Sequence, residues 1–181
     1  MAWWVRLVAV AVLLGVATDA SAGRAQACRR TCRDVIASEC GERLGLARPD
    51  RVCRKALLRQ CRRDGVGVCT YPNVVGGWRY DVAECRQQCG DDAEESCSTR
   101  SIFFTFLQFG TRLQENERSM TGWFVDHATF EVDAANVLGD TSRLRGTVVA
   151  SNRITNVTYD VVVETAEDGT CHRSQVGELV H

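Results

Sequence analysis

Hydrophobic positions change their period twice along this chain. They run unbroken over residues 7–17, recur every fourth position over residues 26–69, and alternate with polar residues in short runs from Trp78 onward. The middle pattern predicts two helices. In the first, residues 26–40, Cys28, Cys32, Ile36 and Cys40 share one stripe, and Gly41 and Gly45 let the chain leave the helix. Pro49 suits the first turn of the second, where its missing N–H is no loss. There Cys53, Leu57 and Cys61 share a stripe that Gly65 and Gly67 end.

The alternating region predicts eight strands, over residues 78–83, 102–109, 112–115, 121–125, 129–133, 143–150, 154–164 and 171–180. Gly139-Asp140, Ser151-Asn152 and Asp168-Gly169 supply turns between them. Short sequential strands with tight connections predict an antiparallel up-and-down meander, closed as a small barrel or packed as a sandwich. The fold class expected is therefore α+β: residues 23–70 as a cysteine-rich helical hairpin and residues 71–181 as a barrel-like domain.

Cysteine placement ties the helices together. Antiparallel partners in a hairpin have position numbers with a constant sum; Cys40 and Cys53 sum to 93, as do Cys32 and Cys61, while Cys28 and Cys69 sum to 97. These three pairs are the expected bridges. Each helix carries few large aliphatic residues on its stripe, and about 40 residues cannot bury enough apolar surface to fold unaided. Two or three bridges, each contributing about 2–4 kcal/mol, fill that gap. In the barrel segment, a last strand antiparallel to the first places Cys85 opposite Cys171 and Trp78 opposite Glu178, leaving Cys89 and Cys97 to close the loop that holds Asp91, Asp92, Glu94 and Glu95. The exchanged pairing, Cys85 with Cys97 and Cys89 with Cys171, stays open, because spacing does not fix connectivity.

Arg6, the apolar run 7–17 and Ala20-Ser21-Ala22 together predict an export signal comprising residues 1–22. The run is shorter than the roughly 20 residues a membrane-crossing helix needs, so no transmembrane span is expected after cleavage. A lipid anchor on Cys28 fits poorly with Arg24 and Gln26 just before it. All ten cysteines follow the signal, and an even number in an exported chain predicts disulfides made in an oxidising compartment. Lys55 is the one lysine against twenty-one arginines, a bias of high-GC bacterial genomes, which favours a periplasmic or extracellular location. Asn156-Val157-Thr158 would be a glycosylation sequon in a eukaryotic secretory pathway; in a bacterium it is three strand residues.

Charge divides the chain near Tyr71-Pro72. Residues 28–69 hold eleven basic and five acidic residues, a net of +6; residues 70–181 hold nine and seventeen, a net of −8. Arg29, Arg30, Arg33, Arg54, Lys55, Arg59, Arg62 and Arg63 flank the cysteine stripes, as solvated positions do. No aromatic residues interleave with them, which argues against a nucleic-acid partner.

Gly76-Gly77-Trp78, at the entry to the first strand, resembles the Gly-x-Trp signature of the calycin barrels, the lipocalins, avidins and their relatives. That resemblance implies a tryptophan closing the base of the barrel against a basic residue of a late strand, for which Arg153 or Arg173 are the candidates, and a small apolar ligand inside. Trp78, Phe104, Phe106 and Trp123 are then the expected lining. Residues 102–109 carry apolar side chains on both faces, so one face fills the barrel and the other is expected to be covered.

Catalytic chemistry is not expected. His127, His172 and His181 stand apart without metal-ligand spacing, and the adjacent Asp126 and His127 would point to opposite faces of a strand. There is no Gly-x-Ser-x-Gly, no His-Glu-x-x-His and no phosphate-binding glycine loop. The cysteine spacings do not match zinc sites, and the acidic loop lacks the spacing of a calcium loop. No catalytic residue, cofactor or metal ligand is assigned. The chain reads as a binding protein for a small apolar ligand or, with a filled barrel, as a protein-interaction module or inhibitor of a secreted enzyme.

Overall fold

The computed structural model describes residues 22–136, 139–165 and 169–181. Except for Ala22, the expected export signal lies outside the described residues, as does Asp168 of the last expected turn. The chain divides into two compact units, the second being Tyr71–His181.

The first unit is a set of helices stapled by disulfides. Helix α1 covers residues 22–31, and Cys32 interrupts it before α2, Arg33–Cys40. Helix α3 spans Arg51–Asp64. Its N-cap is Asp50, whose side chain accepts a hydrogen bond from the Cys53 N–H at 2.8 Å. Pro49 thus precedes the cap and is not inside the first turn. Cys28, Cys32 and Cys40 are fully buried beside Val35 and Ile36, whereas Cys61 is the one fully buried residue of α3. So thin a core depends on covalent links.

Those links are Cys28–Cys61, Cys32–Cys69 and Cys40–Cys53. The bridge nearest the bend is as expected; the expected Cys32–Cys61 and Cys28–Cys69 are not formed. A constant position sum requires two unbroken helices. Here the chain turns at Gly65 into a 3-10 turn, Val66–Cys69, which carries Cys69 back to Cys32 and leaves Cys61 to meet Cys28.

The second unit is an eight-stranded antiparallel barrel with a short ninth strand attached. In chain order the strands are β1 (Gly76–Cys89), β2 (Glu95–Ser96), β3 (Ile102–Phe109), β4 (Arg112–Glu115), β5 (Met120–Phe124), β6 (Thr129–Ala135), β7 (Thr141–Ala150), β8 (Arg153–Thr165) and β9 (Gly169–Val180). From β3 onward each strand pairs with the next, and β9 returns to β1 to close the barrel. The two-residue β2 lies on the outer half of β1.

The closing register differs from the expected one by three to four residues. Asp81, not Trp78, faces Glu178, and after a bulge between Val82 and Glu84 the pair at the far end is Cys89 with Cys171. The bridges are therefore Cys89–Cys171 across the seam and Cys85–Cys97 around the acidic loop, the exchanged pairing of the two that spacing allows. A second bulge, in β8 where it pairs with β9, contains Asn156 at a φ of 51°, a left-handed backbone that asparagine tolerates better than most residues. Asn156 is a bulge residue and not a regular strand position.

Alternation fills the interior. Trp78 and Tyr80 of β1, Phe104 and Phe106 of β3, Leu113, Phe124, Phe130, Leu144, Ile154 and Leu179 are all at most 1% exposed. Small residues make room for the rings. A Cβ on Gly146 would meet Ile154 at 2.7 Å and the Phe130 ring at 3.3 Å, and one on Gly177 would meet the Asp81 carbonyl oxygen at 2.2 Å, at the bulged seam. On the outer face of β3, Phe103 and Phe109 are 59% and 57% exposed.

Two outcomes follow from this arrangement. Peptide mapping without reductant yields Cys28–Cys61, Cys32–Cys69, Cys40–Cys53, Cys85–Cys97 and Cys89–Cys171; a Cys32–Cys61 or Cys85–Cys171 peptide contradicts the registers above. Gly177→Ala lowers stability to denaturant by about 1–3 kcal/mol or more, because a backbone carbonyl must move to admit one methyl group.

Candidate binding site at the barrel mouth

Two ends of the barrel differ. The lower end, where β1 begins, is closed by residues 71–75. The Trp78 indole N–H donates to the Val74 carbonyl at 2.8 Å, and the Val74 N–H donates to Gln108 Oε1 at 3.0 Å. Tyr71 packs on Phe124 and His127, with ring centroids 5.4 and 5.1 Å apart.

His181 meets the Trp78 ring edge-on at 5.2 Å. Gly76 has a φ of 123°, a backbone conformation that demands glycine at the head of the Gly-x-Trp motif, and a Cβ there would also displace the His181 ring, whose Nε2 would lie 2.8 Å away. The basic residues proposed for Trp78 are engaged elsewhere: Arg153 forms a two-pronged pair with Glu178 at 2.8 and 3.0 Å, and Arg173 donates twice to Gln87 Oε1.

Above this base, the expected lining residues fill the barrel instead of facing a cavity. Phe104 stacks on Phe106 and meets Tyr159 edge-on, and Phe106 meets Phe130 edge-on. Trp123 is not a lining residue. Met120, Gly122 and Phe124 take the inward positions of β5, so Trp123 lies on the outer face, half-buried. These ring contacts pack the centre of the barrel.

Space opens at the upper end, between the β4–β5 turn and the ends of β6, β7 and β8. A cleft of about 640 Å³ is lined there by Arg118, Ala134, Tyr159, Val161 and Val163, and by the carboxylates of Asp133 and Asp140. Its volume falls in the range of small-ligand sites. The short β4 and β5 beside the longer β6, β7 and β8 leave this side of the mouth low.

A buried carboxylate builds the wall that holds Arg118. Glu115 is fully buried at the end of β4, and its Oε2 accepts the Arg118 N–H at 2.7 Å while Oε1 accepts the Glu117 N–H at 3.1 Å. These bonds shape the turn in which Ser119 has a φ of 55°. The Arg118 guanidinium then lies 3.7 Å from Glu115, donates to the Phe103 carbonyl at 2.9 Å, and sits over the Phe104 ring at 4.6 Å. Burial raises the Tyr159 phenol above its ordinary pKa, an effect that the nearby Arg118 opposes. Deeper, Gln175 of β9 is buried opposite Tyr159, and its Oε1 has no hydrogen-bond partner among the described residues. The mouth thus offers three apolar side chains, the phenol of Tyr159 and the guanidinium of Arg118, itself flanked by Glu115 and Glu117, together with the carboxylates of Asp133 and Asp140 and the hydroxyls of Ser119 and Ser142.

The residues weighed for catalysis are not brought together. Asp126 accepts the backbone N–H groups of Ala128 and Thr129, which hold its carboxyl below the ordinary range, while His127 packs on Tyr71. His172 faces solvent on β9 and His181 packs on Trp78. Among the described residues, the one cluster with metal-ligand proximity is Cys32, Cys61 and Cys69, and all three sulfurs are in disulfides. The acidic loop packs back on β1, where Arg86 lies 3.8 Å from both Glu84 and Glu94.

Arg118 carried no signal in the sequence. It sits in a turn, and only the strand order places it beside Tyr159, forty-one positions later. Comparison with known proteins finds no matching family model, no matching curated protein and no matching solved structure.

Replacing the buried carboxylate by its amide, Glu115→Gln, destabilises the barrel by about 1–3 kcal/mol, since three backbone donors, on Thr105, Glu117 and Arg118, and a guanidinium lose a charged acceptor. Arg153 holds Glu178 below the ordinary carboxylate range, and Arg79, then Ser101, do the same for Asp81. Depressed carboxylates contribute stability above their unfolded pKa and lose it as pH falls through the lower folded value. Barrel stability is therefore expected to be level near neutrality and to decline on acidification below about pH 4. In Arg153→Gln, the Glu178 carboxyl carbon titrates in the ordinary range; an unchanged titration contradicts the assignment.

Proposed function

We propose that this is an exported, non-enzymatic binding protein that holds a compact amphiphilic ligand at the mouth of a filled barrel. The cleft carries the reading: apolar Ala134, Val161 and Val163 stand beside the Arg118 guanidinium and the Tyr159 phenol, above an interior already packed with rings. Such a site takes a short apolar body and a polar head. The antiparallel barrel, the Gly76-Gly77-Trp78 entry and the closed base are in keeping with a calycin-like design, with the ligand displaced from the centre to the rim. Five disulfides fit an oxidising, exported environment, periplasmic or extracellular, and no helix among the described residues is long and apolar enough to cross a membrane.

A second reading rests on the outer face of β3. Phe103, Leu107 and Phe109 alternate there, all exposed, and present an apolar stripe of the kind that protein partners cover. Under it the protein is an interaction module or an inhibitor of a secreted enzyme.

A native mass spectrum of the protein exported to a bacterial periplasm separates the two. The cleft reading predicts ten missing hydrogens and a retained small-molecule mass that is lost in Val161→Glu. Bare protein with all five bridges rejects the cleft and favours the β3 stripe; an adduct retained by Val161→Glu places the ligand elsewhere.

A further inference from the structure

Helix α3 has a face that its own module does not use. Cys53, Leu57 and Cys61 turn toward the staple, and Arg51, Lys55, Arg59 and Arg62 follow one another at intervals of three and four residues on the opposite side, with Arg54 on the flank between the two stripes. All five are exposed, and none forms an ion pair among the described residues. The carboxylates at the two ends of the helix are already occupied: Asp50 caps the N-terminus, and Asp64 is held by Arg63 at 2.8 Å. Like charges at this spacing weaken a helix. A stripe of cations with no counterpart among the described residues of the helical unit is therefore set against the stability of the helix that carries it.

Its chemistry indicates the counterpart. Four of the five are arginines, whose planar guanidinium binds oxyanions through paired N–H groups. The stripe holds no aromatic side chain on which a nucleic-acid base would stack. It does have protruding aliphatic neighbours: Val52 is 76% exposed next to Arg51, and Leu44 and Leu46 in the preceding turn are 55% and 46% exposed. Isolated apolar side chains on a convex helix match a fluid headgroup layer, which accepts them without shaped pockets, better than a protein surface, which would need a groove. The helix is about 21 Å long at 1.5 Å per residue, so the stripe spans several lipid headgroups.

We propose that the outward face of α3 docks the protein on an anionic phospholipid surface, with Arg51, Arg54, Lys55, Arg59 and Arg62 on lipid phosphates and Val52 against the acyl boundary. The barrel, with its opposite net charge, contributes no attraction to such a surface, so association falls to the helical module. This docking is independent of what the barrel mouth binds.

Co-sedimentation of the oxidised full chain with vesicles tests it. Binding is expected to vesicles of equal phosphatidylglycerol and phosphatidylcholine in about 0.05 M salt, not to phosphatidylcholine alone, and to be lost near 0.5 M salt. Arg59→Gln with Arg62→Gln, an exchange at two exposed positions, weakens partitioning about 25-fold, at about fivefold per cation near the surface. Arg100→Gln with Arg145→Gln, an equal change of charge in the barrel, leaves it unchanged. Absence of binding to the anionic vesicles at low salt overturns the proposal. So does an equal loss in both double variants, which reduces the effect to net charge, or retention of binding in Arg59→Gln with Arg62→Gln, which moves it to another surface.

Discussion

Closing the sheet between β1 and β9 joins it into a barrel, and the way those two strands meet governs the rest of the structure of this unit. Their pairing runs from Arg79–Val180 to Cys89–Cys171 and is interrupted by one bulge, after which inward positions on β1 pass from Tyr80 and Val82 to Cys85, Gln87 and Cys89. That single inserted residue decides which cysteine faces Cys171. It also requires Gly177, because the Asp81 carbonyl occupies the place of a side chain. Below the bulge the seam packs rings; above it the interior becomes polar and stapled, with Gln175, the Cys85–Cys97 loop and Arg173 on Gln87.

The two units solve the problem of a small core differently. The barrel buries a continuous cluster of aromatic and aliphatic side chains and uses two disulfides at its rim. The helices bury little beyond their cysteines, Val35 and Ile36, so three disulfides do for them what apolar area does for the barrel. Freed from packing, α3 can devote its whole outer face to charge.

Alternation in the sequence located all eight barrel strands, because one buried face imposes a period of two that survives local irregularity. Its limits lay in register and connectivity. The bridge Cys40–Cys53 was legible since its two helix ends are adjacent in the chain; Cys28–Cys61 and Cys32–Cys69 were not, because they depend on a break at Cys32 and a reversal at Gly65 that periodicity does not record. Trp123 shows the same limit inside a strand: its size invited an interior role, but Gly122 takes the inward position and gives the room to its neighbours. The mouth was least legible. Arg118 reaches it from a turn, positioned by Glu115, a carboxylate whose burial only the closed barrel explains.

The functional account rests on a barrel that is full below and open above. Methyl-resolved NMR of the oxidised protein titrated with dodecanoate, a probe with a short apolar chain and a polar head, reads this directly. The account predicts shifts of the Ala134, Val161 and Val163 methyls with those of Leu113, Leu144 and Ile154 unmoved. Shifts centred on Leu113, Leu144 and Ile154 would mean that the barrel opens to hold its ligand inside, and would contradict it.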